Sequence, residues 1–426
     1  MSNTTAVQPE HAPALRADEE GGEGHRLARH SCAAERPSLR RRLAPLWVGT
    51  FLQGFALWVP VEKLFMSEIG FDAATLGVMV AGYAALVPVA EVVSGVLADR
   101  WSRRGVLMLS GLAMVVSLAV AALSQNVASY IVAALLFGVY FAMYSGTIEA
   151  VVYDVVLEET GDGDGYEREI GRVRFVESVA LVASALAGGW LASILSTRAT
   201  YILTLPFVLA YLVVLTRFCE PRLHQTSERT SLRHHLTVTY RAITHRGRLV
   251  PIAAASIMAA MILQAVFEFG PLWLITLEAS AVYYGPFWAV LVATLGIGGL
   301  LAGRLRLHRP LPVAIVVLVM LAACLTLTSS RDLIALTVAM VALCFLLVVI
   351  GIHVSRLLHD AVPSTIRTGV VSGIGAVSWL VFTPFALVFG AVSKQFGVYV
   401  SGWMLTGAVG LAGAALVWVR NRAPLR

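Results

Sequence analysis

The sequence predicts an all-α membrane protein in which twelve transmembrane helices form two six-helix halves. Three observations carry this. Apolar runs of bilayer-crossing length, about 20 residues, recur twelve times between Leu43 and Val419. Only 14% of the residues are charged and 58% are hydrophobic, whereas a soluble chain carries about 25% charged residues. The basic residues cluster on alternate connections, as they do when successive helices reverse direction across a membrane.

Residues 1–42 are polar, mixed in charge and supplied with Pro and Gly, and they end in the basic run RRR at 40–42. They read as a disordered cytoplasmic tail. No apolar core with a small-residue cleavage site follows Met1, so no secretory leader is expected. Spans 1–6 are expected at 43–67, 73–98, 105–124, 128–156, 173–195 and 199–218. Together they make an N-terminal bundle over 43–218. The longest polar interior stretch, 219–248, is a central cytoplasmic loop. Spans 7–12 are expected at 249–275, 281–303, 311–329, 332–358, 368–392 and 398–419, a C-terminal bundle over 249–420 that leaves 421–426 as a short tail.

With the N-terminus inside, 28 of the 32 Lys and Arg residues fall on cytoplasmic segments. Lys63, Arg198, Arg331 and Lys394 stay outside. This bias predicts a multi-pass protein of the cytoplasmic membrane with both termini in the cytoplasm. The net charge of +6 then reflects topology and the anionic inner leaflet, not nucleic-acid binding. Cys32, Cys219, Cys324 and Cys344 show no pairing or metal spacing and read as free thiols.

The halves echo each other. LQGFALWVP (Leu52–Pro60) in span 1 matches LQAVFEFGP (Leu263–Pro271) in span 7, and GVLADR (Gly95–Arg100) matches GLLAGR (Gly299–Arg304). The offsets are 211 and 204 residues, in order and nearly in register. Two related six-span halves are a transporter architecture, with the site at their interface near mid-membrane.

SGVLADRWSRRG (Ser94–Gly105) resembles the loop between helices 2 and 3 of the major facilitator superfamily, G-x-L-A-D-R-x-G-R-R, with Ser102 in place of the second Gly. EVVSG (Glu91–Gly95) and SGTIEAVVYD (Ser145–Asp154) are similar to a bacterial branch that includes efflux permeases. The resemblance implies alternating access and a cytoplasmic latch. In that latch Asp99 faces the N-terminus of span 11, whose start VPSTIRTG (Val362–Gly369) has helix-initiating residues. Gly95 would let span 2 approach a neighbour closely. Arg100, Arg103 and Arg104 would anchor the loop to phosphates and to carboxylates such as Asp154 or Glu158, unless they are ordinary positive-inside charges. Drug/proton antiporters of the superfamily carry an Arg in span 4 and a G-x-x-x-G-P-x-x-G-G run in span 5. Here Glu149 and ASALAGGWLAS (Ala183–Ser193) stand there instead.

An ionisable group inside a bilayer costs a few kcal/mol, so each one asks for a reason. Glu268 lies one turn outward of Gln264, with Gly270-Pro271 beyond; Gln53 and Pro60 hold the matching places in span 1. Helices interrupted at matched positions line cavities. The central substrate and proton site is therefore expected among Gln53, Phe55, Trp58, Gln264, Phe267, Glu268 and Trp273, with Glu149 a further proton carrier. The two Gln residues read equally well as inter-helix hydrogen bonders. Glu91, Asp154, Arg172, Arg174 and Glu177 are expected to form an inner-leaflet gating network with the loop. By the rise of an unbroken helix, Glu62 and Lys63 fall about 13 Å outward of Gln53, at the outer surface. GDGDGYERE (Gly161–Glu169) lacks the ligand spacing of a calcium loop and reads as solvated.

No phosphate-binding loop, zincin motif or nucleophile–base set is present, which argues against ATP-driven transport and catalysis. The expected function is secondary active transport of a small molecule across the cytoplasmic membrane. Proton-coupled efflux of an amphipathic compound is the first reading; an uptake permease, or a non-transporting sensor or assembly factor on the same fold, is the alternative. The expected partners are a small-molecule substrate, a proton or other coupling ion, and the lipid bilayer. No cofactor, metal or nucleic acid is expected, and the chain is expected to act as a monomer.

Overall fold

In the computed structural model of the protein, residues 39–161, 165–221, 249–302, 307, 309–362 and 364–422 are described, and they hold twelve helices long and apolar enough to cross a membrane. Span 1 is Leu39–Glu68, span 2 Ala73–Ala98, span 3 Arg103–Leu123, span 4 Val127–Thr160, span 5 Tyr166–Ile194 and span 6 Thr197–Leu215. Spans 7 to 12 are Leu249–Thr276, Ala281–Leu301, Pro310–Ser329, Leu333–Ala361, Gly369–Phe396 and Val398–Asn421. Even in number, they bring both ends of the described chain to one side, here called the termini face. The opposite side is the far face.

On the far face, the connections are only one to four residues long. Polar side chains start the next helix: the Asp72 carboxylate accepts from Thr75 N in a capping box, and Asn126, Ser196 and Asp332 cap spans 4, 6 and 10. On the termini face, helices overrun the bilayer. Span 4 has 34 residues, roughly 51 Å at 1.5 Å per residue, against a hydrocarbon core of about 30 Å. The basic triplet Arg40–Arg42 is likewise helical, the first turn of span 1 rather than the end of a tail. Arg42 pairs there with Glu158 and Glu159 of span 4. Such turns are polar but helical, so apolar runs alone do not reveal them.

The helix pairings repeat between halves. Span 3 packs on spans 4 and 6, span 2 on span 4, and span 1 on span 6; spans 9, 10, 12, 8 and 7 repeat the same pattern. Both first helices are interrupted. Span 1 breaks between Leu39–Gly54 and Glu62–Glu68, with a 3-10 turn at Val59–Val61, and span 7 divides at Gly270 into Leu249–Phe269 and Pro271–Thr276.

The halves meet through spans 2 and 11 and through spans 5 and 8. Near the far face the backbones touch. A Cβ on Gly77 would stand 2.6 Å from the Ala386 carbonyl oxygen, and one on Gly189 would stand 2.6 Å from the Gly285 nitrogen. Toward the termini face the same four helices carry Gly95, Gly171, Gly299 and Gly375, and nothing lies within 4 Å of a Cβ at any of them. The two halves are closed at the far face and splayed at the other. Gly95 is therefore not the close-approach position expected of it in this conformation.

Cys324 and Cys344 are free and buried, but Cys219 is disulfide-bonded. This corrects the expectation of four free thiols; scattered cysteines give no spacing from which a pair can be read. Cys32, the central loop over 222–248 and residues 162–164 of the GDGDG segment lie outside the described residues.

Candidate functional site

Span 1 stops at Gly54, turns through Phe55–Trp58 and resumes at Glu62. This break draws Lys63 inward. The surface placement expected for Glu62 and Lys63 assumed an unbroken rise of 1.5 Å per residue, which the turn does not supply. Lys63 is 4% exposed. Its ammonium donates to Glu62 Oε2 at 2.8 Å and, across the boundary between halves, to Glu268 Oε2 at 2.9 Å.

The network extends on both sides. Gln264 Nε2 donates to Glu268 Oε1 at 3.2 Å, one helical turn away. The Tyr130 hydroxyl donates to Glu62 Oε1 at 3.2 Å and shares a 2.8 Å hydrogen bond with Tyr201. Two carboxylates and one ammonium leave the triad one negative charge in excess when all three are ionised. Buried charge of that kind is stable only when it is paired and hydrogen-bonded. A proton or a cation balances it.

Beside the triad lies an inner cavity of about 150 Å³, lined by Trp58, Tyr83, Tyr130, Phe137, Tyr201 and the triad itself. Its aromatics are ordered against each other. Trp58 stacks on Tyr201 with centroids 5.4 Å apart, and Phe137 meets Trp58 edge-on at 5.3 Å. Tyr83 reaches Trp379 of the other half edge-on at 5.7 Å. Trp58 is buried and its indole N–H has no protein partner, which leaves one donor in an aromatic wall for a ligand acceptor.

Of the eight residues expected at the central site, Trp58 and Glu268 line this cavity, and Gln264 holds Glu268. The others stand apart from it. Gln53 is buried with its Oε1 unpartnered, and Phe55 packs on Phe207 at 4.6 Å. Phe267 packs on Trp288. Trp273 is fully buried among C-terminal helices, where its Nε1 donates to the Leu327 carbonyl at 2.8 Å. These placements correct the expected cluster: proximity along a helix does not set which way a side chain faces. Glu149 is corrected too, since it is half-exposed toward the termini face and pairs with Arg174 at 2.7 Å. Glu62, Lys63, Tyr83, Tyr130 and Tyr201 were not anticipated. The signal for them was Lys63 itself, one of only two lysines in the chain.

Toward the termini face, charge pairing binds the N-terminal half internally. Arg103 pairs with Asp154, which is buried, and donates to the Ala150 carbonyl at 2.9 Å. Arg174 bridges Glu149 and Glu177, and Arg172 pairs with Glu169. Arg104 donates to the Thr216 carbonyl at 2.8 Å. Glu220, absent from the sequence expectations, caps span 3: its carboxylate accepts from Ser102 Oγ at 2.6 Å and from Arg103 N. Glu91, Gly95 and Arg103 line a groove of about 310 Å³ between spans 2 and 4. The side chains of Asp99, Arg100 and residues 364–368 lie outside the described residues, and with them the expected contact of Asp99 with span 11. Removing one partner from a buried ion pair costs about 3–5 kcal/mol. Asp154→Ala is therefore expected to lower the melting temperature clearly more than Glu149→Ala, whose pair is half-exposed and worth at most about 1 kcal/mol; thermal unfolding in detergent checks this.

A second ion pair joins the halves. Lys394 Nζ of span 11 lies 2.8 Å from Asp72 Oδ2, at the start of span 2. Lys394 and the Thr75 N–H hold the Asp72 carboxyl down at about 2. A depressed carboxylate pKa means the pair persists above the ordinary range and is lost only as pH falls through about 2. Asp72→Asn is therefore expected to leave the shape of any transport pH profile between about pH 5 and 8 unchanged.

Residues 46–374 match the Major Facilitator Superfamily. The chain belongs to this superfamily. No curated protein matches it at significant similarity. Among solved structures, its fold is similar to a mutant of the nucleoside transporter NupG, with a TM-score of 0.72 at 14% identity over 88% of this chain and 99% of that one. A bacterial homolog of the human lysosomal transporter Spinster, inward-facing and occupied, gives 0.72 at 13% identity over 91% and 98%. A D-xylose–proton symporter gives 0.66 at 14% identity over 88% and 95%. At these identities the likeness is one of fold. A superfamily member with this fold is a non-enzymatic, multi-pass membrane transporter.

Proposed function

We infer that the protein is a proton-coupled secondary transporter that exports a small amphipathic compound by alternating access, with both termini in the cytoplasm. The far face is then the outside, and the conformation described here is closed to it. The carrying observation is the Lys63–Glu268 ion pair, which crosses between halves at the edge of the aromatic inner cavity. Closure brings the ammonium to Glu268; opening pulls it away and leaves a carboxylate that needs a proton. Proton uptake and opening to the far face are thereby linked, because the ion pair and the protonated acid are alternatives at one oxygen.

The cavity's chemistry supports an amphipathic substrate with a cationic group. Excess negative charge attracts the cation, and the faces of Trp58, Tyr83 and Tyr201 favour it further. A proton and an organic cation competing for the same acids give exchange.

The test is flux in proteoliposomes across an imposed pH gradient, using amphipathic amines and uncharged analogues of equal size. The expected result is gradient-driven movement of the amines and not of the analogues. Equal movement of both, or of neither, contradicts the assignment of the site.

A further inference from the structure

A second cavity, of about 250 Å³, lies on the far-face side of the triad, between the halves. Span 1 contributes Lys63, Met66 and Ser67, span 2 begins it with Asp72, span 7 gives Thr276, and Ser393 closes it from span 11. Lys63 lines this outer cavity and the inner one alike, whereas Glu62 and Glu268 line only the inner one. One ammonium therefore separates the two spaces. Among the described residues, the two ion pairs between halves, Lys63–Glu268 and Asp72–Lys394, both border the outer cavity.

We propose that the outer cavity is a vestibule that carries protons, but not substrate, from the far face to Glu268 while the halves stay closed, with the Lys63 ammonium as the partition between the two spaces. The inference rests on the coupling role given above to Glu268 and adds a route distinct from the substrate's. Thr276 is exposed and Ser67 half-buried, so hydroxyls line a way in for water from the surface. The Gly77 and Gly189 backbone contacts hold the halves together on this side, so the substrate's route between them stays shut. Lys63 is held by two carboxylates, so it can keep Glu62 when it releases Glu268. A hydronium arriving at the partition gives its proton to the freed Glu268 carboxylate and leaves as water. The charged and titratable groups around that carboxylate are Lys63 and Glu62 of span 1, with Tyr83 of span 2, Tyr130 of span 4 and Tyr201 of span 6 on the cavity wall; on its own helix the neutral Gln264 amide donates to the other oxygen, Oε1. Asp72 and Lys394 neutralise each other at the mouth.

The experiment reads proton permeability of proteoliposomes with no substrate present, so it stands whether or not the exported compound is identified. Lys63→Ala removes the partition, and an imposed pH gradient is expected to collapse at least about tenfold faster than with the native chain. Lys63→Arg is expected to keep the gradient. Glu268→Gln breaks the same ion pair but leaves the lysine in place, and it is also expected to stay tight. In Lys63→Ala/Thr276→Cys, a bulky impermeant thiol reagent added at the far face is expected to stop the leak. The native free thiols Cys324 and Cys344 are buried and give little background. A Lys63→Ala protein as tight as native overturns the proposal, as does a Glu268→Gln protein that leaks equally, which would make the pair a latch and not a partition. Should Lys63→Ala fail to fold, Ser67→Cys in the otherwise native chain decides: rapid labelling from the far face is expected, and protection there refutes the vestibule.

Discussion

Glu268→Gln is expected to abolish pH-gradient-driven flux while leaving a folded, monodisperse protein. The substitution keeps the shape of the side chain and its contact with Gln264, but it removes the charge that Lys63 meets at 2.9 Å. A hydrogen bond to a charged partner contributes about 1.5–3 kcal/mol, and 1.4 kcal/mol is a factor of ten in a conformational equilibrium. The closed state should lose between ten- and a hundredfold of its advantage over the far-open state. Because an amide takes no proton, opening also ceases to depend on pH. Exchange of labelled for unlabelled substrate at equal pH should survive where net transport does not. Glu149→Gln is the control, since Glu149 pairs with a half-exposed Arg174 outside the cavity; its flux should remain within about twofold of native. Native flux in Glu268→Gln would remove this acid from coupling.

Gly189→Val is expected to stop transport by a different physical route. Any Cβ at this position overlaps the backbone of Gly285, at 2.6 Å from its nitrogen and 2.8 Å from its Cα. Backbone cannot swing aside as a side-chain tip can, so spans 5 and 8 must move apart. Overpacking of this kind costs about 1–3 kcal/mol, charged wholly to the far-closed state. The far face should then stand open, Ser393→Cys, buried at the outer cavity in the closed conformation, should label faster from that side in that background, and net flux should fall to background. Gly95→Val, where nothing lies within 4 Å, should leave far-face closure untouched. Equal labelling of Ser393→Cys in the Gly189→Val and native backgrounds would show that this crossing does not control closure.

The twelve spans and the two-half repeat were legible because lipid leaves the chain little choice: a spanning backbone must satisfy its own hydrogen bonds, and long apolar runs do so as helices that hydropathy reports directly. Glu268 and Trp58 were legible for a related reason, a charge or a broken helix where lipid penalises both. Lys63 was misplaced because counting residues from Gln53 cannot show that the helix is interrupted between Gly54 and Glu62. Phe267 and Trp273 sit close to Glu268 in sequence, but their rings face Trp288 and Phe389, a matter of helix rotation set by neighbours on other helices. Nothing in the sequence singles out Tyr130 and Tyr201; the hydrogen bonds of Tyr130 to Glu62 and to Tyr201 distinguish them. Glu220 follows the last helix of its half, and its work at the start of span 3 is visible only once the bundle is closed.

The most direct measurement is a pair of inter-half distances by pulsed electron paramagnetic resonance. One spin-label pair stands at exposed far-face positions, Gln125→Cys with Ser280→Cys, and the other at exposed termini-face positions, Glu167→Cys with Asp360→Cys. The predicted result is two populations at each face that shift in opposite senses: acidification lengthens the far-face distance and shortens the other, and Glu268→Gln removes the response to pH. A single unchanging distance at both faces, across pH and with native sequence, would contradict two halves rocking about a charge pair.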